Sequence, residues 1–223
     1  MFTGEERDPY PGDEYQENEV GPLRMITQGR NHGLSWIDYI SAQASGARAS
    51  TRATTYARDN NIGGHGTRAD TYRHFLLGFD VTQRRDPNVA RFILDQYEIT
   101  GLREAGGEIL SGSIAEGYIY GYFDMYTLQD LWNNSVAIRA GACSENEDRE
   151  DSEVFRELLS YMIEDVGDVR GRLGIQTNPS VTDSPDARRV RGRWDLSTNQ
   201  IYFVGQDRTL NLYRNTLSSP RPY

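Results

Sequence analysis

Three stretches of this chain carry polar side chains at the spacing that acid–base or ligand chemistry requires. Asp70 and His74 are four residues apart with Arg73 adjoining, Asp95 and Glu98 are three apart, and Asp130 lies three and four residues before Asn133 and Asn134. On a helix, positions i, i+3 and i+4 share one face. Carboxylates, an imidazole and carboxamides drawn together from facing helices can move a proton or hold a bound group in place. Under that chemical reading His74 is the general base, and Asp70 or Glu98 orients it. The same residues can instead form a hydrogen-bonded network that fixes helix register. Arg73, Asp95, Asp130, Asn133 and Asn134 are then a structural polar cluster, with Arg73 neutralising a carboxylate. The spacing leaves open whether the chain is an enzyme.

Other chemistries have less to build on. Asp70, His74 and Glu98 offer mixed nitrogen and oxygen ligands, but no H-E-x-x-H spacing is present and the chain has only three histidines. His32 and His65 lie in glycine-rich stretches and read as local hydrogen-bonding groups. No metal and no cofactor are expected. There is no G-x-S-x-G elbow, phosphate-binding loop or dinucleotide fingerprint. Gly63-Gly64-His65-Gly66 precedes a helix and reads as a tight turn before it reads as an anion site. Cys143 is the single cysteine, which excludes an internal disulfide framework, and it is expected to be a small buried hydrophobe.

The elements that must position these residues follow from apolar periodicity. A first helix runs from Leu34 to Asp59, with Leu34, Ile37, Ile40, Ala44 and Ala47 as its inward stripe. A second runs from about Thr67 to Gln83, with Tyr72, Phe75, Leu76 and Phe79 on its apolar side. Asp86-Pro87 is an N-cap followed by proline at the first helical position, opening a third helix to about Glu98. Val89, Phe92, Ile93 and Tyr97 form its stripe. Thr100 to Tyr122 is glycine-rich and fits either a short helix or a hairpin. A fourth helix is expected from Thr127 to Ala142 and a fifth from Asp148 to Val166. Arg191–Trp194 and Gln200–Val204 flank a turn and read as a hairpin, with Arg208–Tyr213 as a third strand. The expected fold is mostly α, an irregular helical bundle with a small C-terminal β-hairpin or three-stranded appendage. Its organisation reads as an extended acidic arm over 1–22, a helical core over 23–168, a loop over 169–187 and the β appendage with a basic tail over 186–223.

Composition bounds the setting. The 223 residues are enough for one large domain or two small ones. No apolar run approaches the roughly 18 residues of a membrane span, and no signal peptide is expected. All 24 basic residues are arginine, and with 33 acidic residues the net charge is −9. A lysine-free acidic chain fits a high-salt host, where screening relieves self-repulsion, or a GC-rich genome that replaces lysine codons. Charge is unevenly placed: seven acids accompany Arg7 within residues 1–22, whereas residues 188–223 carry seven arginines against two aspartates. Such ends can pair with copies of the same chain or with other subunits of a particle. No specific nucleic-acid partner is expected, although Arg188, Arg189, Arg191 and Arg193 could touch phosphate locally.

The run Asp70-Thr-Tyr-Arg-His74, then Glu98, then Asp130-Leu-Trp-Asn-Asn134 followed by Val136, resembles an uncharacterised helical domain. That domain occurs at the C-terminal ends of bacterial wall-associated and RHS-repeat polymorphic toxin proteins. Its pattern is D-A-x-R-H, then A-H-E, then D-L-x-N-N followed by valine, and the match covers roughly residues 60–140. Thr71 replaces the family's alanine, and Tyr97 stands where the family has histidine. The resemblance implies a toxin-like helical scaffold and names no reaction. Two functions are expected to compete. One is a non-catalytic structural or assembly component of a virion or injection apparatus. The other is a hydrolase-like effector acting on the cell envelope through His74.

Overall fold

The computed structural model describes residues 34–63, 67–104, 109–113, 118–123, 125–164, 168–169, 190–195, 200–203 and 209–211. The arm over 1–22, His32, His65, residues 170–187 and the last residues of the tail lie outside them.

Helix α1, Trp36–Asn60, begins at a capping box. The Ser35 hydroxyl accepts from the Asp38 N–H at 3.3 Å, and Asp38 Oδ2 accepts from the Ser35 N–H at 2.7 Å. Helix α2, Arg68–Arg84, starts at Thr67, whose hydroxyl accepts from the Ala69 N–H. Helix α3, Pro87–Glu104, opens as its Asp-Pro pair dictates, Asp86 Oδ1 accepting from the N–H groups of Asn88 and Val89. It continues six residues beyond the expected Glu98. Strands β1, Ile109–Ser113, and β2, Tyr118–Phe123, then resolve the glycine-rich stretch as an antiparallel hairpin. Helix α4, Met125–Gly141, and the short helix α5, Asp151–Leu158, follow. Strands β3, Val190–Asp195, β4, Gln200–Phe203, and β5, Thr209–Asn211, pair in antiparallel order after β2, giving a five-stranded sheet ordered β1-β2-β3-β4-β5. The fold is mostly α. None of its described helices is long and apolar enough to cross a membrane.

Two of the expected helices differ in an instructive way. Most of the expected inward stripe of α1 faces out: Leu34, just before the helix, is buried, but Ile37 is 63% and Ile40 65% exposed, and Ala44 and Ala47 are exposed too. The buried face is Asp38, Tyr39, Ala42, Ser45, Ala49 and Ala53. The small side chains of Ala42, Ser45, Ala49 and Ala53 let α1 lie close against α2, and the Arg85 guanidinium, 2.5 Å from Asp38 Oδ1, fixes that face inward. The fifth helix, expected to reach Val166, ends at Leu158 and gives way to a 3₁₀ turn over Leu159–Tyr161 and extended backbone at Met162. The cause is competition for the backbone of Ile163. Its carbonyl accepts from Asn133 Nδ2, Gln129 Nε2 and the Thr71 hydroxyl, and its N–H donates to Asn133 Oδ1. Groups so engaged cannot continue a helical ladder. Cys143, expected to be buried, is half-buried at the start of the 3₁₀ turn Ser144–Asn146.

Helices α2 and α4 make the approach on which the site depends. A Cβ added at Gly78 would lie 2.8 Å from the Ala137 Cβ, and one at Gly141 would lie 2.8 Å from both the Phe79 carbonyl and Thr82 Cβ. The two backbones are therefore nearly in contact, with Phe75, Phe79, Phe155 and Leu158 packed beside them. Each such apolar side chain, fully buried, stabilises the fold by about 1.5–3 kcal/mol.

Gly78→Ala should destabilise the protein by about 1–3 kcal/mol through overpacking, despite alanine's better helix propensity. Gly46→Ala is the contrast, because its new methyl meets only Leu77 Cδ1 at an ordinary 4.0 Å. That variant should gain about 0.5–1 kcal/mol, read by thermal or urea melting. Acid should act on the α1 cap. Burial alone would raise the Asp38 carboxyl, but Ser35 and Arg85 outweigh it and hold it below its ordinary 3.8. A depressed folded-state value gives stability that is complete above the unfolded value and lost as pH falls through the folded one. The melting temperature of the wild type should therefore drop on acidification below that ordinary value more steeply than that of Asp38→Asn.

Candidate functional site

The α2–α4 contact sets the register of the polar residues. Along the two helices His74 meets Asn134, Gly78 meets Ala137, and Phe79 and Thr82 meet Gly141. These pairs advance together, so the helices run in the same sense and the polar pair sits one turn before the Gly78 crossing. Asp70, His74, Asp130, Asn133 and Asn134 are all buried there, and Glu98 is brought in from α3.

His74 is the centre of the cluster. Its side chain is 4% exposed. Nδ1 lies 3.0 Å from Asn134 Oδ1, and Asn134 Nδ2 donates in turn to Glu98 Oε1 at 3.5 Å. That second bond orients the amide, so His74 Nδ1 carries a proton and donates it to Asn134. Nε2 points the other way, 3.1 Å from Asp130 Oδ1, 3.8 Å from Asp70 Oδ1 and 3.3 Å from Arg73 Nη2.

Arg73 closes the cluster on its outer side. Its Nη2 is 2.7 Å from Asp70 Oδ1 and its Nε donates to the same oxygen at 2.9 Å. Burial pulls the guanidinium's pKa down, but the negative charges of Asp70 and Asp130 outweigh that and raise it, so Arg73 is a permanent cation. Tyr97 accepts a hydrogen bond from Arg73. Burial, with Glu98 and Asp130 nearby, pushes the Tyr97 hydroxyl up to about 12 against the opposing pull of Arg73, so it is a neutral phenol at neutral pH.

Three of the expected helices thus deliver Asp70, His74, Glu98, Asp130 and Asn134 to one hydrogen-bonded cluster. Asn133 departs from it, turning its amide to both backbone groups of Ile163 at 2.9 Å. Asp95 is on α3, but its side chain lies outside the described ones. Two roles were not legible in the spacing. Asp130, placed among the structural residues, is the carboxylate 3.1 Å from His74 Nε2, whereas Glu98 is linked to the ring through Asn134. Gln129 and Thr71 join Asn133 in clamping Ile163, a role that no local pattern announces. Chemically the cluster can hold a proton or a cation between Nε2 and the two aspartates. Asp70, His74 and Asp130 each offer one ligand atom, all within 4.8 Å of one another.

Removing one amide should separate the two functions of the adjacent asparagines. Asn133→Ala leaves the buried Ile163 N–H without its acceptor and should cost about 1–3 kcal/mol in urea melts, loosening residues 162–164 to proteolysis. Asn134→Ala should cost a similar amount but leave that segment protected, since its bonds go to His74 and Glu98.

No protein-family model, no curated protein and no solved structure matches the chain, so the site is read from its own geometry.

Proposed function

We propose that the chain is a non-catalytic structural or assembly component of a larger particle, a virion or an injection apparatus, built on a toxin-like helical scaffold. The observation that carries this reading is the saturation of the cluster. His74, the one imidazole among the described residues, has both ring nitrogens in contact with neighbouring polar groups, is almost wholly buried, and sits behind an arginine ion pair. A general base needs an approach for the proton it is to remove, and hydrogen-bond reach to it. A network of this kind serves to fix which helix faces meet. Tyr97, in place of the family's histidine, adds a neutral phenol where a second imidazole would stand. The chain ends supply the assembly surfaces in this reading. Residues 1–22 carry almost no aliphatic side chains and a net charge of −6, and residues 188–223 carry +5, so one copy's arm complements another copy's tail or another subunit of the particle.

A second reading keeps its own support. Arg73 is only partly buried and approaches the Nε2 side of His74, and Tyr97, also partly buried, accepts from Arg73. If Arg73 parts from it, His74 Nε2 faces outward as a general base beside Asp70 and Asp130, with Asn134 and Glu98 behind the ring at Nδ1, as a hydrolase-like effector acting on the cell envelope would require.

Deletion of residues 1–22 should leave the melting temperature of the helical core nearly unchanged and abolish self-association, measured by light scattering after size exclusion. A truncated chain that associates like the full one removes the assembly reading. Loss of envelope-hydrolysing activity in His74→Gln, with assembly intact, then establishes the effector.

A further inference from the structure

We propose that Asp70, His74 and Asp130 form a binding site for a divalent transition-metal ion, with His74 Nε2 and one oxygen of each carboxylate as its ligands. This goes beyond the assembly reading and does not rest on it.

Three observations converge. The first is distance. Nε2 is 3.1 Å from Asp130 Oδ1 and 3.8 Å from Asp70 Oδ1, and the three ligand atoms lie within 4.8 Å of one another. Ligands bound at about 2.0–2.2 Å from a common ion are themselves separated by roughly 3–4 Å, so a small contraction encloses a cation. The second is the orientation of the ring. A ligating histidine characteristically gives its other N–H to a fixed oxygen, which sets the tautomer and aims the lone pair. His74 does this through Nδ1 to Asn134 Oδ1, with Asn134 itself held by Glu98 Oε1. Nε2 is thereby left facing the two aspartates.

The third observation is burial and charge. The side chains of His74 and Asp70 are each 4% exposed and that of Asp130 is 8% exposed. An imidazole nitrogen and two carboxylates thus meet away from water, where they need a positive centre, and Arg73 beside Nε2 supplies one. An ion bound to Nε2 and both aspartates takes that place. Arg73 must then release Asp70 Oδ1, and its side chain, 22% exposed, has solvent to turn into.

The donor set selects the ion. One imidazole with two carboxylates suits zinc, manganese, iron(II) or cobalt(II), whereas calcium and magnesium favour all-oxygen ligands. Arg73 is the competitor of that ion, since it already neutralises Asp70. The ion-free protein therefore remains folded, and metal binding exchanges one cation for another.

The test uses the full chain. Titration with cobalt(II) should produce visible absorption bands that saturate at one equivalent, and zinc should raise the melting temperature by several degrees. His74→Gln and Asp130→Asn should lose both responses. Arg73→Gln should bind zinc about tenfold or more tightly, because a like charge is removed from beside the ligands. Should these variants fail to fold, the wild type decides. It has three histidines, and zinc should shift the ring resonances of His74 while those of His32 and His65 stay in place. Absent cobalt bands with unmoved His74 resonances at millimolar metal overturn the proposal, as does a metal response confined to His32 or His65.

Discussion

The near-contact of α2 and α4 at Gly78 and Gly141 is the constraint from which the remainder of the helical core follows. With 2.8 Å between Ala137 Cβ and the position a side chain would need at Gly78, the helices have no room to slide or rotate. One turn earlier along both, that fixed register sets His74 against Asn134 at hydrogen-bond distance. Polar groups buried at such a crossing must be matched with one another, because each unmatched group would cost about 1–3 kcal/mol. Close packing and polar matching thus reinforce a single arrangement. A shift of one residue on either helix would break both together.

Two adjacent asparagines on α4 show how one helix serves two layers. Successive helical positions point about 100° apart, so Asn133 and Asn134 cannot share a partner. Asn134 faces α2 and completes the histidine cluster. Asn133 faces the extended backbone at 162–164 and imitates a peptide group, accepting from one backbone N–H and donating to one carbonyl. The same clamp ends the helical run that begins at Asp151. The core is in this way sealed by a piece of chain held through side-chain amides and not by regular secondary structure.

The electrostatics of the cluster are arranged around a permanent cation. Arg73 bridges to Asp70, approaches His74 Nε2 and receives the oxygen of Tyr97, and it is raised above its ordinary pKa by the acids around it. A cluster with several carboxylates is stable in a bundle interior only when positive charge is close by. The scaffold reading takes that charge to be the end point. The metal proposal takes it to be exchangeable. Both start from the same convergence of aspartates on one imidazole nitrogen.

Much of this was legible in the chain itself. Spacing alone put Asp70 and His74 on one helix face and Asp130 and Asn134 on another, since the 3.6-residue period leaves few alternatives. Asp86-Pro87 marked the start of α3 because a carboxylate cap and a proline without N–H satisfy the same helix end. The inward stripe of α2 was equally plain, its bulky aromatic residues having no other place to be buried. What tertiary structure decided was every choice between neighbouring faces. Apolar spacing on α1 pointed to Ile37 and Ile40, but the helix turned Ala42, Ser45, Ala49 and Ala53 inward, because close approach to α2 and the Asp38–Arg85 pair outweighed two isoleucines. Asp130 came within 3.1 Å of His74 Nε2, Glu98 was linked to the ring through Asn134, and Asn133 left the cluster for Ile163. A local period states which residues share a face. Only the packing of one helix on another determines which partner that face meets.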